Sequence, residues 1–397
     1  MNLFSLSWNN LKAKPLDTIL SLMLLVLGVG IISLVLILNT QLDEQFKRNI
    51  RGIDMVVGAK GSPLQIILSA VYHIDNPTGN ISQKEAQKLA THPLIKSSIP
   101  LAYGDNYKGF RIVGSEHSYV EHYKGELADG RLWEETLEAT IGAGVAKATG
   151  LKIGDTFFSA HGLEGDDDIH TNATFTVVGI LKPSGTVLDQ LMLTEISSLW
   201  AVHGYAVSDT GAADTVDHQI TAMLVKFRSP LGIVTIPRYV NTQTNMQASM
   251  PAFEVNRLYD NLGLGIKLMQ YIAIAIIVIS ALSVFFSLLN SLKDRQYELA
   301  LMRTMGASPN KIFGLIMLEG IILAILGFVL GLVLSRFGLW LMSVSLEDGY
   351  HYQLSIWEFL PEEGYLAIGT ILLGGLAALG PAIKASTIDI HETLAEG

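Results

Sequence analysis

The sequence predicts a membrane α-helical protein: four transmembrane helices, with an α+β extracytoplasmic domain inserted between the first and the second. Three observations predict it. Of the 397 residues, 49% are hydrophobic and only 16% are charged, where a soluble chain carries about a quarter charged residues. The apolar residues gather in four blocks, each near the roughly 20 residues that cross the hydrocarbon of a bilayer. The segment 39–265 reads instead as a water-soluble domain, with 18 Lys and Arg against 25 Asp and Glu, and is long enough for a core of its own.

Taken in order, residues 1–15 place Leu3, Phe4, Leu6, Trp8 and Leu11 beside Lys12 and Lys14, the composition of an amphipathic helix at the membrane interface. The first span, 16–38, has Asp17 only at its edge. It exceeds the ~7–15-residue apolar region of a signal peptide and no A-x-A site follows, so it reads as a retained anchor. The second span, 268–292, is uncharged between Lys267 and Lys293. The third, 312–341, is built on the apolar run Ile312 to Ser335, and that run holds a single charge, Glu319. The fourth, 364–383, is uncharged and stops before Lys384.

Lys and Arg set the orientation, because basic residues in short loops stay on the cytoplasmic side. Lys12 and Lys14 precede the first span; Lys293, Arg295, Arg303 and Lys311 lie in the loop 293–311; Lys384 opens the tail 384–397. The loop 342–363 has no Lys or Arg and carries Glu347, Asp348, Glu358, Glu362 and Glu363. Both termini and the 293–311 loop are therefore expected in the cytoplasm, with 39–265 and 342–363 outside. Trp340, Tyr350, Tyr352, Trp357 and Tyr365 fit an aromatic belt at the outer face.

Within the inserted domain, Leu42 to Ile50 and Phe253 to Leu262 extend the adjoining spans as helices, the two sides of a stalk. Ile53 to Val57 reads as a strand. Ser82 to Thr91 reads as a helix capped by Ser82 with Glu85 three residues on. Phe110 to Val113, Ala139 to Ile141, Thr156 to Phe158, Thr174 to Leu181 and Thr221 to Phe227 are strand-like between Gly-Asp and Gly-rich turns. The pattern is an α+β lobe interrupted by a β-rich one.

Composition excludes several chemistries. Without cysteine there are no disulfides, thiolate metal sites or cysteine nucleophiles. A formal charge of -10 argues against nucleic acid, which needs a basic surface. No G-x-x-x-x-G-K-[ST] phosphate loop occurs, and Val57-Gly-Ala-Lys60-Gly-Ser62 lacks its spacing and reads as a turn. In the 293–311 loop, Tyr297, Ala300, Leu301 and Met305 fall at helical spacing. A surface helix entering a partner's groove and a solvated loop both fit those residues. Glu319 is costly in hydrocarbon and suits a helix–helix contact. Gly327 and Gly331 are spaced for close helix packing. In His161-Gly-Leu-Glu164-Gly-Asp166-Asp167-Asp168-Ile-His170, His161 and His170 are the candidate metal ligands, of the N/O type that suits zinc. The spacing matches no structural metal motif, and a solvated acidic loop fits equally.

Three stretches resemble one family. Lys293-Asp-Arg-Gln-Tyr-Glu298-Leu-Ala-Leu-Met-Arg303-Thr-Met-Gly306-Ala-Ser308 resembles the cytoplasmic signature of FtsX-type permeases. Glu319 followed by Gly327-Phe-Val-Leu-Gly331 is similar to their third span, and Pro381-Ala-Ile-Lys384-Ala385-Ser386 to their ending. Gly144 to Asp155 is similar to part of the MacB-type periplasmic core domain. The chain thus resembles the MacB/FtsX-like, type VII ABC permeases over nearly its whole length. The resemblance implies a dimer with a second permease copy or paralogue, in a bacterial inner membrane among lipids, with a periplasmic partner or substrate-binding protein. It implies a chain that is no enzyme and holds no cofactor, ATP and Mg being bound by a separate ATPase dimer. Tyr297, Glu298, Leu301, Arg303 and Gly306 would be the coupling residues. The implied cargo is lipoprotein, peptide or amphiphile. Two further functions fit: an FtsX-like regulator of a cell-wall hydrolase, and an envelope metal-handling system. The orientation is directly checkable, since the chain has no native thiol. Ser118→Cys should react with an impermeant thiol reagent from outside, and Ser308→Cys only after permeabilisation. Labelling of position 308 in intact spheroplasts would contradict it.

Overall fold

The computed structural model describes residues 3–162, 169–203, 218–350 and 355–388. Of the residues singled out above, Glu164, Asp166, Asp167, Asp168 and Tyr352 lie outside these, as do the side chains of Glu347, Asp348 and Tyr350. The chain divides into two compact units, one of residues 1–42 and 261–397, the other Asp43–Asp260.

In chain order the elements begin with α1 (Leu3–Ala13), α2 (Pro15–Ile50), β1 (Met55–Ala59), α3 (Pro63–Ala70), β2 (Ile81–Ser82), α4 (Gln83–Ala90), β3 (Ile95–Tyr107) and β4 (Phe110–Gly114). There follow α5 (His117–His122), β5 (Leu127–Gly130), β6 (Glu138–Ile141), α6 (Ala143–Thr149), β7 (Thr156–His161), β8 (Ile169–Leu181), a 3-10 turn at Val187–Gln190, β9 (Leu191–Thr194) and α7 (Ile196–Val202). The remainder is β10 (Gln219–Ile220), β11 (Ala222–Phe227), α8 (Pro230–Gln243), β12 (Met246–Ser249), α9 (Pro251–Asp294), α10 (Gln296–Thr304), α11 (Pro309–Tyr350) and α12 (Pro361–Ser386).

Helices α2, α9, α11 and α12 are each long and apolar enough to cross a membrane. They approach closely where side chains are small. A Cβ on Gly331 would lie 2.7 Å from Val29 Cγ1 and 3.2 Å from the Gly30 nitrogen, and one on Gly327 would overlap Leu25, so α11 meets α2 along these glycines. Gly320 and Gly374 face each other, each 2.9 Å from the other's carbonyl oxygen once a Cβ is built, so α11 meets α12 there. Helix α1 packs on α11: Ser7 and Leu11 are buried, and Ser7 Oγ donates to the Leu315 carbonyl.

Two of these helices run beyond the apolar runs read from the sequence. The third-span helix continues well past Ser335, and it contains a second charge, Arg336, buried within the unit. Helix α12 begins at Pro361 and so takes in Glu362 and Glu363, the latter buried. A search for uninterrupted apolar runs stops at such charges. A buried cation and anion that neutralise each other are compatible with a longer helix.

The inserted unit is built on one ten-stranded sheet, in the order β12-β1-β11-β3-β4-β9-β6-β8-β5, with β7 pairing both β3 and β8. β4–β9 and β6–β8 are parallel and the other pairs antiparallel. Alternate residues of one strand enter different cores: Met55 and Val57 join one cluster and Val56 the other, as do Met223 and Val225 against Leu224. Helices α4, α7 and α8 supply Leu89, Leu199 and Ile236 to the first cluster; α3 and α5 supply Ile67 and Tyr119 to the second. Both faces are covered, which is why these strands read as continuous apolar runs rather than alternating ones.

The thirteen-residue strand β3 holds the sheet together. Its first half, Ile95 to Leu101, pairs β11, and its second half, Ala102 to Tyr107, pairs β4 and β7. It therefore passes from the α+β lobe into the β-rich lobe. Ser82 caps α4 and accepts from the Glu85 N–H at 3.3 Å. The Val57–Ser62 stretch is the end of β1, a turn, and the cap of α3.

Candidate functional site

The short helix α10 lies between α9 and α11. Arg295 breaks the regular helix before it, and Gly306, at φ +98°, ends it in the left-handed conformation that glycine adopts without strain. Leu299 and Ala300 are buried under α10. Tyr297, Leu301 and Met305, four residues apart, stand exposed on the other face, with Glu298 beside them. Ala300, read above with this row, belongs to the packed face. Arg303 turns inward and donates to the Ile388 carbonyl at 2.7 Å, tying α10 to the segment after α12.

Two polar clusters lie within the helical unit. Glu319, fully buried, accepts from Asn10 Nδ2 at 2.6 Å and has Arg295 Nη1 at 3.6 Å. It thus ties α11 to α1 and to the α9–α10 break. In the second, Arg336 donates to both carboxylate oxygens of Glu363, at 3.0 and 2.8 Å, and to the Glu358 carbonyl. Ser33 of α2 donates to Glu363 at 2.6 Å and lies 2.9 Å from Ser335 Oγ. This cluster joins α2, α11 and α12. The sequence reading missed Arg336, Glu363 as its partner, and Ser33. The available signal was an arginine one residue beyond an apolar run and an acid one residue before another.

A third cluster lies in the inserted unit. Pairing of β3 with β7 sets Asp105 directly opposite His161, and β7 turns back into β8 with Ala160 opposite Ile169, bringing in His170. His203 follows the last turn of α7 and caps it. Asn106, buried, donates to the carbonyls of Ala160 at 3.2 Å and Gly162 at 3.1 Å, fixing the end of β7. The distances to the Asp105 carboxylate are 3.2 Å from His161 Nδ1, 3.3 Å from His203 Nε2 and 4.0 Å from His170 Nε2. The three rings pack on one another at centroid distances of 4.4, 4.8 and 5.1 Å. The Asp105 carboxylate beside it holds the His203 imidazole above the usual histidine range, against the opposing effect of burial. A cavity of about 440 Å³ opens beside the cluster, lined by Asp105, His161 and His203 together with Tyr103, Trp200 and His218. Sequence reasoning named His161 and His170 but not Asp105 or His203, which only the sheet register and α7 bring near.

Residues 18–232 match the MacB-like periplasmic core domain, and residues 271–390 match the FtsX-like permease C-terminal family. The chain belongs to the MacB/FtsX-like family of ABC transporter permeases. Among curated relatives, the lipoprotein-releasing system transmembrane protein LolC of Neisseria meningitidis is 21% identical, over 81% of this chain and 78% of its own length. The corresponding LolE of Haemophilus influenzae is 22% identical over 98% of both chains. Among solved structures, the periplasmic region of MacB from Actinobacillus actinomycetemcomitans is matched over 54% of this chain and 96% of its own, at 14% identity and a TM-score of 0.35. The extracellular domain of the noncanonic ABC-type transporter YknZ from Gram-positive bacteria is matched over 49% of this chain and 98% of its own, at 15% identity and a TM-score of 0.31.

Removing one member of a buried ion pair strands the other charge, at a cost of about 3–5 kcal/mol, whereas replacing both by apolar groups is often near neutral. Arg336→Met should therefore destabilise the detergent-solubilised chain by about that amount. The double variant Arg336→Met with Glu363→Met should recover most of the loss. Additive effects in a denaturation series would contradict this account of the cluster.

Proposed function

We propose that this permease receives ATP-driven motion from a separate ATPase dimer at α10 and delivers it to its inserted domain, outside a bacterial inner membrane. The observation that carries this reading is the exposed row Tyr297, Leu301 and Met305 on a short helix whose other face is packed. Three large apolar side chains in one row, with Glu298 beside them, form the face that a helix presents to a partner's groove. Arg295 ties the start of α10 to Glu319 of α11, which in turn holds Asn10 of α1, and Arg303 ties α10 to the segment after α12, so a push on α10 is carried into the helices rather than absorbed by a loose loop. The Lys and Arg pattern supports a cytoplasmic position for α10.

In this reading the spans carry force and not solute. A conduit for a polar solute needs unpaired polar groups along a cavity. Several polar groups within the spans are engaged with other helices or their own backbone: Arg336 with Glu363, Glu319 with Asn10, Ser21 with Ser283 at 2.9 Å, and Thr370 with the Leu366 carbonyl. Helices α2 and α9 each enter both units of the chain, which supports a mechanical route outward. The chain would work beside a second permease copy or paralogue, with ATP and Mg held by the ATPase. The names of the LolC and LolE relatives support a lipoprotein, or a similarly amphiphilic molecule, as cargo.

The coupling surface is tested by co-purification with the partner ATPase. Tyr297→Ser with Leu301→Ser, and separately Glu298→Lys, should weaken association by at least about 10-fold, equivalent to roughly 1.4 kcal/mol. Membrane insertion and thermal stability should stay unchanged, because these side chains are exposed. Full association and full coupled ATPase activity in both variants would remove α10 as the coupling element.

A further inference from the structure

We propose that Asp105, His161, His170 and His203 form a binding site for one divalent transition-metal ion of the zinc class. The inference is independent of the permease reading and concerns only the inserted unit. One ligand atom from each of the four residues lies within 4.8 Å of all the others. A tetrahedral ion with bonds of about 2.0–2.1 Å requires its ligand atoms to stand about 3.4 Å apart. The separations of His161 Nδ1 and His203 Nε2 from Asp105 Oδ1 are 3.2 and 3.3 Å. His170 Nε2 stands 4.0 Å from Oδ2 and within the same 4.8 Å cluster.

The unsatisfied polar atoms point to a cation. Asp105 is fully buried, and among the described residues no hydrogen bond of regular geometry reaches either of its carboxylate oxygens. His170 Nε2 is likewise buried without a partner. A divalent ion binds neutral imidazole nitrogens and a carboxylate together, so one ion would satisfy the Asp105 oxygens and His170 Nε2 at once. The donor set, three imidazoles and one carboxylate with no thiolate, is one that zinc accepts. The cluster is also supported from behind. Asn106 fixes the β7 end that carries His161, and the α7 terminus carries His203.

The site opens to solvent. His161 is about half exposed, at 47%, and with Asp105 and His203 it lines the adjoining cavity. An ion can therefore enter from outside, and the cavity leaves room for a further ligand beside it. Because the ligands come from β3, β7, β8 and the end of α7, occupancy would clamp the strand that joins the two lobes to the β-rich lobe.

The test uses the full-length chain in detergent, with any affinity tag cleaved, stripped by a chelator and titrated calorimetrically with Zn²⁺ alone. One ion should bind per chain, raising the melting temperature. Co²⁺ in its place should give the visible bands of a four-coordinate N/O site. His161→Ala and His203→Asn should each weaken zinc binding by at least about 100-fold, the upper end of what losing even a supporting group costs a metal site. His92→Ala, outside the cluster, should leave it unchanged. Absence of zinc binding to the wild-type chain overturns the proposal whatever the variants do. So does stoichiometric binding that survives His161→Ala, whose half-exposed ring can be removed without disturbing the core.

Discussion

Lipid gives an apolar helix no hydrophobic reason to leave it for another helix. The helical unit must therefore be held by close backbone approach and by polar groups that have no better partner in hydrocarbon. Both are present and they share helices. Gly327 and Gly331 let α2 approach α11, and Gly320 with Gly374 lets α12 approach it from another side. Along the same three helices, Ser33, Arg336 and Glu363 close a buried network. Glycine contacts alone permit sliding, whereas a bidentate arginine–carboxylate pair fixes register. A unit so fixed can transmit a displacement, which the proposed function requires of it.

The inserted unit meets a different constraint. Its central strands are covered on both faces, so β1 and β11 must satisfy two cores at once, and a slip of one residue would exchange them. The strand that joins the lobes, β3, ends in Gly104-Asp105-Asn106, a polar stretch where apolar residues would be expected. Asn106 uses its amide to hold β7, while the Asp105 carboxylate faces the imidazoles of His161 and His203. A polar interruption in a strand paired on both sides is a cost to folding, and such costs mark sites.

How much was legible in the sequence follows from range. Features set by neighbours along the chain were readable: four apolar spans, the α+β inserted domain, the Ser82 cap of α4, and the helical spacing of Tyr297, Leu301 and Met305. Strand β3 was not, because Lys96, Pro100, Gly104 and Asp105 interrupt its pattern, though pairing on both sides makes it a strand regardless. Arg336 was missed because a charge looks like the end of a span unless its partner, on another helix, is known. Asp105 and His203 were missed for the same reason: their relation to His161 exists only once the sheet is assembled. Ala300 was placed on the wrong face because spacing alone does not say which side of a short helix is covered.

The central claim is mechanical: nucleotide-driven movement at α10 is felt in the inserted unit through α2 and α9. It is tested most directly by pulsed electron resonance on the complex assembled with its ATPase. One spin label would replace the exposed Lys47 on α2, and a second would sit at the equivalent position of the facing permease copy. The account predicts a distance distribution that shifts when ATP is added and returns after hydrolysis, with the shift abolished by Tyr297→Ser and Leu301→Ser. A distribution unchanged through the nucleotide cycle, while ATP is hydrolysed at the normal rate, would contradict it.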